Sequence, residues 1–198
     1  MTDFIGKVET ALNRGGGPSS DFDLNPEFRL AEGRRLRPAG VLVPIARDSA
    51  GHGILLTKRS SALKHHPGQI AFPGGKQDEG DATVVDAALR EAEEEIGLPT
   101  SIVRVLGTLP THETVTGFLV TPVVAVIERP FEIRPESGEV DEVFCVPTDF
   151  LLAPENYRVQ SRRWRGHQRA YYVVPFGPYY IWGATARMLR TWSDLMTS

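Results

Sequence analysis

Three glutamates stand close together in the segment REAEEEIG, from Arg90 to Gly97. If this segment is helical, Glu91, Glu94 and Glu95 occupy positions i, i+3 and i+4, so their carboxylates can meet on one face. Like charges at this spacing, close to the C-terminus of a helix, are unfavourable. Hard cations such as Mg²⁺ or Mn²⁺ would offset the repulsion, because they take carboxylate oxygens as ligands. The alternative is a solvated acidic surface.

The helix that carries these glutamates is predicted from Asp81 to Ile96. Asp81 precedes the first apolar residues of the helical pattern, and we expect it to cap the helix N-terminus. Apolar residues recur at helical spacing and predict the side that packs on the protein: Val85, Leu89, Ala92 and Ile96.

A glycine turn precedes the predicted helix. Residues 69–72 (QIAF) favour a short strand, and Pro73, Gly74 and Gly75 end it. Consecutive glycines let the backbone approach a ligand closely and adopt positive φ. The expected order is therefore a strand, a glycine turn, a polar loop and the acidic helix.

This arrangement resembles the signature of the Nudix hydrolases, in which a glycine is followed by an Arg-Glu pair, a Glu-Glu pair and a second glycine. The matching residues are Gly75, Arg90, Glu91, Ala92, Glu94, Glu95, Gly97 and Leu98. Two features differ from the usual signature. The interval from Gly75 to Arg90 is one residue longer, and the acid in its first half is Asp81 instead of glutamate. Two roles therefore remain for Asp81: a metal contact or a helix cap.

The resemblance implies roles for the matching residues. Glu91, Glu94 and Glu95 are expected to bind catalytic Mg²⁺ or Mn²⁺, with the backbone carbonyl of Gly74 as a further ligand. Arg90 is expected to hold one of the glutamates by a charge-assisted hydrogen bond and not to touch the substrate. The implied fold is an α/β/α sandwich of the Nudix type with a mixed β-sheet.

A second segment, residues 55–75 (LLTKRSSALKHHPGQIAFPGG), resembles the additional motif of the coenzyme A pyrophosphatases. The matching residues are Leu55, Leu56, Thr57, Arg59, Ser60, Gly68 and the run Phe72-Pro73-Gly74-Gly75. Lys64 stands where that subfamily has arginine; lysine keeps the charge but lacks the planar fork that binds phosphate through two hydrogen bonds. The run VTPVV (residues 120–124) and the run YYIWGATARML (residues 179–189) are similar to later parts of the same subfamily. The resemblance implies substrate contacts by Arg59, Ser60, Lys64, Gly68, Phe72 and Gly75.

Coenzyme A carries a diphosphate and a 3′-phosphate, so its binding site needs several cations. Basic residues that could supply them precede the glycine turn: Lys58, Arg59, Lys64, His65 and His66. Taken alone, the lysines and arginine also fit a solvated strand end, and the histidines fit a loop before Pro67. No cysteines or acids accompany the histidines in a zinc-like set.

The expected reaction is attack of water on the diphosphate of coenzyme A, giving 3′,5′-ADP and 4′-phosphopantetheine. The general base is either a glutamate of the signature or one of the later acids Glu113, Glu139 and Glu142. Glu91 is the first candidate, as ligand or base, because it begins the acidic cluster. ADP-ribose, a dinucleoside polyphosphate or a nucleoside triphosphate would use the same acidic helix. A non-catalytic nucleotide-binding module is the alternative of a different class, but such modules typically lose glutamates that this chain retains.

Composition limits the partners and the compartment. The chain has 198 residues with 22 basic and 25 acidic side chains, and its net charge of −3 argues against a general nucleic-acid partner. The sequence has no leader-like N-terminus and no apolar run of about 18 residues, so we expect a cytoplasmic protein without a membrane partner. A homodimer stays open. The single cysteine, Cys145, lies in an apolar run, and we expect it to be buried.

We expect two parts: an N-terminal helix and flexible link, residues 1–27, and a domain that resembles the Nudix hydrolases, residues 28–198, that includes a C-terminal helix. The first helix is predicted from Thr2 to Leu12, the link over residues 14–26, and the last helix from Gly183 to Leu195. The predicted strands cover residues 40–45, 53–57, 70–72, 103–109, 118–127, 142–146 and 169–174.

The stretch from Arg158 to Arg169 is rich in arginine around Trp164, with Gly166 at a position that could turn a hairpin. Arginine beside an aromatic ring can bind a nucleotide through phosphate contacts and stacking. The alternative is a charged hairpin that faces solvent or a dimer partner.

Overall fold

The computed structural model describes residues 3–28, 33–48, 51–164 and 166–198. The helices are α1 (Asp3–Arg14), α2 (Val84–Ile96), α3 (Thr148–Leu152) and α4 (Gly183–Thr197). The strands are β1 (Ser19–Ser20), β2 (Arg37–Asp48), β3 (Gly51–Arg59), β4 (Ile70–Ala71), β5 (Gly74–Lys76), β6 (Val103–Thr108), β7 (His112–Glu113), β8 (Phe118–Ile127), β9 (Val140–Pro147), β10 (Arg158–Trp164) and β11 (His167–Val173). Within the described residues, no helix combines the length and the apolarity needed to span a membrane.

The main sheet is mixed, as the sequence predicts. Its centre is the long parallel pair β2–β8, and β3 and β5 pair antiparallel with β2. Strand β9 extends the sheet beyond β3, while β6 and β7 pair with β8. The hairpin β10–β11 forms a second, two-stranded sheet.

Helices cover both faces of the main sheet. Adjacent residues of β2 point to opposite faces, as in any strand, so Leu42 joins one buried cluster and Val43 the other. The Leu42 cluster includes Ala92 and Ile96 of α2. The Val43 cluster includes residues of α1, α3 and α4, among them Val8, Leu151 and Trp192. This arrangement confirms the predicted α/β/α sandwich.

The N-terminal region differs from the predicted flexible link. Residues 19–20 form β1, which pairs parallel with β7. His112 of β7 is fully buried, with its Nδ1 atom 2.9 Å from Ser19 Oγ and its Nε2 atom 3.2 Å from Asp21 Oδ1. Helix α1 packs on the same core through Val8, which is fully buried. Thr2, where the first helix was predicted to begin, lies outside the described residues, and the proposed domain boundary at residue 27 stays a prediction.

The structure corrects two further expectations. Gly74 and Gly75, predicted as a turn, belong to β5 and pair with Val41 and Gly40 of β2. Cys145, predicted to be buried, is exposed on β9. The reason is the alternation of side chains along a strand, which places its neighbour Phe144 in the core and Cys145 on the other side.

Candidate active site

The acidic helix α2 begins after Thr83, not at Asp81. Thr83 and Asp86 form a capping box, in which the Asp86 N–H donates to Thr83 Oγ1 at 3.2 Å and the Thr83 N–H donates to Asp86 Oδ2 at 2.9 Å. Gly97 ends the helix in a left-handed conformation, with φ of 71°. Glutamates 91, 94 and 95 therefore occupy the last two turns, where the sequence places them.

Glycines bring the backbone of α2 and the sheet into direct contact. A Cβ atom on Gly40 of β2 would lie 2.0 Å from the Val84 carbonyl oxygen. A Cβ atom on Gly74 would lie 2.5 Å from the Gly40 carbonyl oxygen, and one on Gly75 would lie 2.5 Å from the carboxylate of Glu91. A side chain at Gly40 or Gly74 would collide with backbone atoms, and one at Gly75 would displace the Glu91 carboxylate. The glycines therefore let the Glu91 carboxylate lie directly against β5.

Glu95 is a nearly buried acid, with 4% of its surface exposed. Its carboxylate accepts a hydrogen bond from the Gly74 N–H at 3.1 Å. Burial raises the pKa of Glu95 to about 7, against the effect of the Gly74 hydrogen bond. The charges of Glu91 and Glu139 raise this pKa further, while the charge of Arg59 lowers it.

Glu91 is partly buried beside Glu95. Burial raises its pKa, the contact with Arg90 lowers it, and the charges of Glu94 and Glu139 raise it again. Glu91, Glu95 and Glu139 therefore lie close enough to repel one another electrostatically. A set of carboxylates of this kind can accept a cation or a proton.

Arg90 of α2 links the acidic cluster to the polar loop that precedes the helix. Its Nε and Nη2 atoms bind the two oxygens of Asp81, each at 3.0 Å. Its Nη1 atom lies 3.0 Å from Glu91 Oε1 and 2.9 Å from Glu94 Oε2. These hydrogen bonds raise the pKa of Arg90, and its guanidinium lowers the pKa of Asp81.

Asp81 is therefore an anchor for Arg90, and the helix cap predicted for it is wrong. Its side chain is only 5% exposed in the contact with Arg90, and a second hydrogen bond, from the Asp78 N–H at 2.9 Å, holds it in the loop. The sequence carries no signal for this pair, because Asp81 lies in the loop before α2 and Arg90 lies on the helix, nine residues further on.

The segment with the second motif forms a closed loop beside this cluster. At its base, the Arg59 N–H donates to the Gln69 carbonyl at 2.9 Å and the Gly68 N–H donates to the Arg59 carbonyl at 3.0 Å. Gly68 has φ of 69°, which favours glycine. The Ser60 N–H donates to the Glu139 carbonyl at 2.8 Å, so the loop is also tied to the segment that carries Glu139.

The predicted substrate contacts occupy different environments. Lys64 is exposed at the loop, and Arg59 is partly buried with its charge close to Glu95. Phe72, at 3% exposure, belongs to the hydrophobic core, and Ser60, at 4% exposure, is also buried. The structure therefore gives Phe72 and Ser60 positions that support the loop and does not present them to a substrate. Gly75 faces Glu91.

The three candidate bases outside the signature also differ in position. Only Glu139 among them contributes to the electrostatics of both Glu91 and Glu95 within the described residues. Glu113 pairs with Arg34 at 2.9 Å. Glu142 accepts a hydrogen bond from the hydroxyl of Tyr179, whose ring stacks on Phe144.

Comparison with known proteins identifies the family. A sequence model described as the NUDIX domain matches residues 36–165, about two-thirds of the chain. The chain belongs to the Nudix hydrolase family. It is therefore an enzyme, a pyrophosphatase that acts on nucleoside diphosphate derivatives.

Relatives of this Nudix hydrolase share much of its length. The protein named Uncharacterized Nudix hydrolase NudL from Enterobacter sp. (strain 638) is 42% identical over 154 residues, which are 78% of this chain and 80% of the relative. The protein of the same name from Escherichia coli O1:K1 / APEC is 44% identical over the same shares. A crystal structure of a Nudix hydrolase from M. smegmatis, RenU, is 27% identical and has a TM-score of 0.48, covering 57% of this chain and 71% of that one.

Nudix hydrolases use divalent metal ions, and the acidic cluster has the donor chemistry for one. Within the described ranges, no three His, Cys, Asp or Glu side chains are already arranged around a common point. Glu95 is nonetheless a buried acid beside the like-charged Glu91, and hard cations bind such oxygen donors. Glu91 and Glu95 would hold the ion. Glu94 pairs with Arg90 and is 59% exposed, and its predicted place in the ligand set, like that of the Gly74 carbonyl, stays a prediction.

Proposed function

We propose that this Nudix enzyme hydrolyses the diphosphate bond of coenzyme A or its derivatives, giving 3′,5′-ADP and 4′-phosphopantetheine. The observation that carries the proposal is the position of the loop with the second motif. This loop closes on Arg59, and the charge of Arg59 acts on Glu95. The motif that resembles the coenzyme A pyrophosphatases is thus adjacent to the acidic cluster.

The chain's own residues have separate tasks in this reaction. The Gly74 N–H and the glycine pair hold Glu95 and Glu91 in place, and Arg90 fixes Glu91 from the opposite side. A divalent ion, when bound, would neutralise phosphate charge and lower the pKa of the attacking water. Arg59, whose charge acts on Glu95, would contact the diphosphate beside that cluster.

Glu139 is our candidate for the general base, because it is the acid outside the signature that lies near both Glu91 and Glu95. The oxygen of water forms a bond to one phosphorus atom while the bond from that phosphorus to the bridging oxygen breaks. The electron pair of that bond stays on the leaving phosphate, and Glu139 takes the proton from water. Replacing Glu139 by Gln should lower kcat without raising KM.

The substrate assignment is tested by incubating the purified protein with coenzyme A and Mg²⁺ or Mn²⁺ and separating the products by chromatography. ADP-ribose and diadenosine polyphosphate serve as competing substrates. We expect 3′,5′-ADP from coenzyme A at a kcat/KM well above that of either competitor. Faster cleavage of a competitor would overturn the coenzyme A assignment and leave the catalytic cluster in place.

The catalytic assignment is tested with Glu95→Gln, which keeps the shape of the side chain and removes its charge. We expect kcat to fall by roughly 10²- to 10³-fold, as for other groups that organise charge in a transition state. Full activity of this variant would remove Glu95 from the mechanism. Absence of turnover by the wild-type protein on every substrate would favour a binding module.

A further inference from the structure

The hairpin β10–β11 presents an exposed arginine on an aromatic support. Cross-strand pairing places Arg162 directly opposite Arg169 on one face of the hairpin, an arrangement that is unfavourable for like charges. The guanidinium of Arg162 lies 4.6 Å from the centre of the Trp182 ring. Within the part of the chain that the structure describes, Arg162 has this aromatic partner and no carboxylate partner. Its charge is therefore available to an anion from outside.

Aromatic side chains form a wall around Arg162. The rings of Tyr171 and Trp182 pack edge to face, with centres 5.3 Å apart. The Tyr180 hydroxyl donates to Gln160 Oε1 at 2.6 Å, and 42% of Tyr180 is exposed. Gln160 and Arg162 are two residues apart on β10 and share one face of the hairpin, so this hydrogen bond holds Tyr180 on the face that carries Arg162. Exposed π-faces next to a guanidinium can bind a base and a phosphate together.

This wall lies next to the loop at the active site. Gly183 follows Trp182, and a Cβ atom at Gly183 would lie 3.8 Å from the Nε2 atom of Gln69. The carbonyl of Gln69 accepts the hydrogen bond from Arg59 that closes the loop. The start of α4 is fixed to the same region, because Thr185 Oγ1 donates to the Ile70 carbonyl at 3.0 Å. These contacts connect the aromatic wall at Arg162 to the base of the loop, and the loop carries Arg59, whose charge acts on Glu95.

We propose that Arg162, supported by Trp182 and Tyr180, binds the phosphorylated nucleoside end of the substrate and recognises its 3′-phosphate. The inference rests on the proposed function, since coenzyme A carries two separate anionic groups. Arg59 serves the diphosphate next to the acidic cluster, and Arg162 serves the second anion on the far side of the loop. The hairpin thereby selects substrates that carry a 3′-phosphate.

The test compares Arg162→Ala with Arg163→Ala, using coenzyme A and dephospho-coenzyme A as substrates. Arg163 is a matched control, because it is the next residue of the same strand, is also exposed, and lies on the other face of the hairpin. Arg162→Ala should raise KM for coenzyme A by roughly tenfold, the loss of one charge-assisted hydrogen bond. Its kcat for coenzyme A and its KM for dephospho-coenzyme A should stay unchanged. Arg162→Lys, which keeps the charge, should recover part of the loss.

An equal rise of KM for both substrates, no change for either, or the same effect from Arg163→Ala would overturn the inference. If the wild-type protein cleaves neither substrate, the proposed function fails and the inference is decided by calorimetric binding of 3′,5′-ADP and 5′-AMP. Tighter binding of 3′,5′-ADP that Arg162→Ala abolishes would still support a 3′-phosphate site. Equal binding of the two nucleotides would exclude it.

Discussion

The acidic cluster on α2 and the basic surface of the loop and hairpin are built in opposite ways. In the acidic cluster, Glu95 is 4% exposed. The Glu91 carboxylate lies so close to Gly75 that a Cβ atom there would be 2.5 Å from it. On the basic surface, Lys64 and Arg162 are exposed. The function we propose therefore assigns catalytic geometry to the packed region and substrate recognition to the exposed charges. Changes in the first region should act on kcat, and changes in the second on KM.

The strongest test of the packed region is Gly75→Ala. The new Cβ atom would lie 2.5 Å from the Glu91 carboxylate and would displace it. A misplacement of this size at a catalytic group costs about 10²-fold in rate. We expect kcat for coenzyme A, or for whichever nucleotide is the best substrate, to fall by that factor.

Gly80→Ala is the matched control, because Gly80 lies in the loop that follows β5 and a Cβ atom there meets nothing within 4 Å. It should leave kcat unchanged. If Gly75→Ala is as active as Gly80→Ala, then the contact between β5 and Glu91 does not determine the catalytic geometry and the contrast between the two regions fails.

Arg90→Lys removes the planar group that links the acidic cluster to the polar loop. Lysine cannot bind both oxygens of Asp81 while contacting Glu91 and Glu94 as Arg90 does. Loss of such supporting contacts lowers metal affinity or activity by roughly 10- to 100-fold. The measurement is kcat together with the Mg²⁺ or Mn²⁺ concentration for half-maximal rate. Arg104→Lys, at a surface pair with Glu9, should change neither value.

The packed region is also the one that could be predicted from sequence. The helix and its glutamates follow from a local repeat, and the structure places Glu91, Glu94 and Glu95 on α2. The helix begins at Val84 instead of Asp81, and its buried side also includes Ala87, Ala88 and Glu95. The strand pairing of β5 with β2 could not be predicted, because the partners are far apart in sequence and β5 has only three residues. The anchoring of Arg90 by Asp81 depends on a loop conformation that no periodicity encodes.

The residues proposed to contact substrate could not be separated from buried ones by sequence, because that separation also depends on tertiary contacts. The sequence puts Phe72 and Ser60 in the same motif as Arg59, but only the fold separates buried members from accessible ones. Glu139 and Glu95 are far apart in sequence. The hydrogen bond from the Glu136 N–H to the Glu95 carbonyl, at 2.9 Å, holds the segment that carries Glu139 against the end of α2. Tertiary contacts of this kind are absent from any local pattern.

The raised pKa of Glu95 gives a prediction for stability without metal. The folded-state pKa is about 7, above the reference value of 4.5, so the folded protein binds the proton more tightly than the unfolded chain. Protonation of Glu95 therefore stabilises the folded protein. This contribution to the free energy of unfolding is fully present below pH 4.5 and is lost as the pH rises through about 7. Glu95→Gln cannot ionise. In metal-free buffer at pH 8 it should therefore exceed the wild-type free energy of unfolding by about 3 kcal/mol.

Urea unfolding of both proteins in EDTA at pH 4.5 and pH 8 measures this difference. The gap between the variants should close at the lower pH, because Glu95 is then largely protonated in the folded protein. A wild-type protein that is as stable as Glu95→Gln at pH 8 would show that burial of Glu95 carries no electrostatic penalty. The acidic cluster would then not be strained in the absence of a cation.

Lys64 tests the exposed region with the smallest expected effect. Its side chain is exposed on the loop, so its removal leaves the packing around Glu91 and Glu95 unchanged. Lys64→Ala should raise KM for coenzyme A by about threefold, as for a single exposed ion pair, and should leave kcat unchanged. Lys64→Arg should lower KM instead, because guanidinium binds phosphate through two parallel hydrogen bonds. If both variants change kcat and leave KM unchanged, the loop takes part in the chemical step, and the separation between a packed catalytic region and an exposed recognition region does not hold.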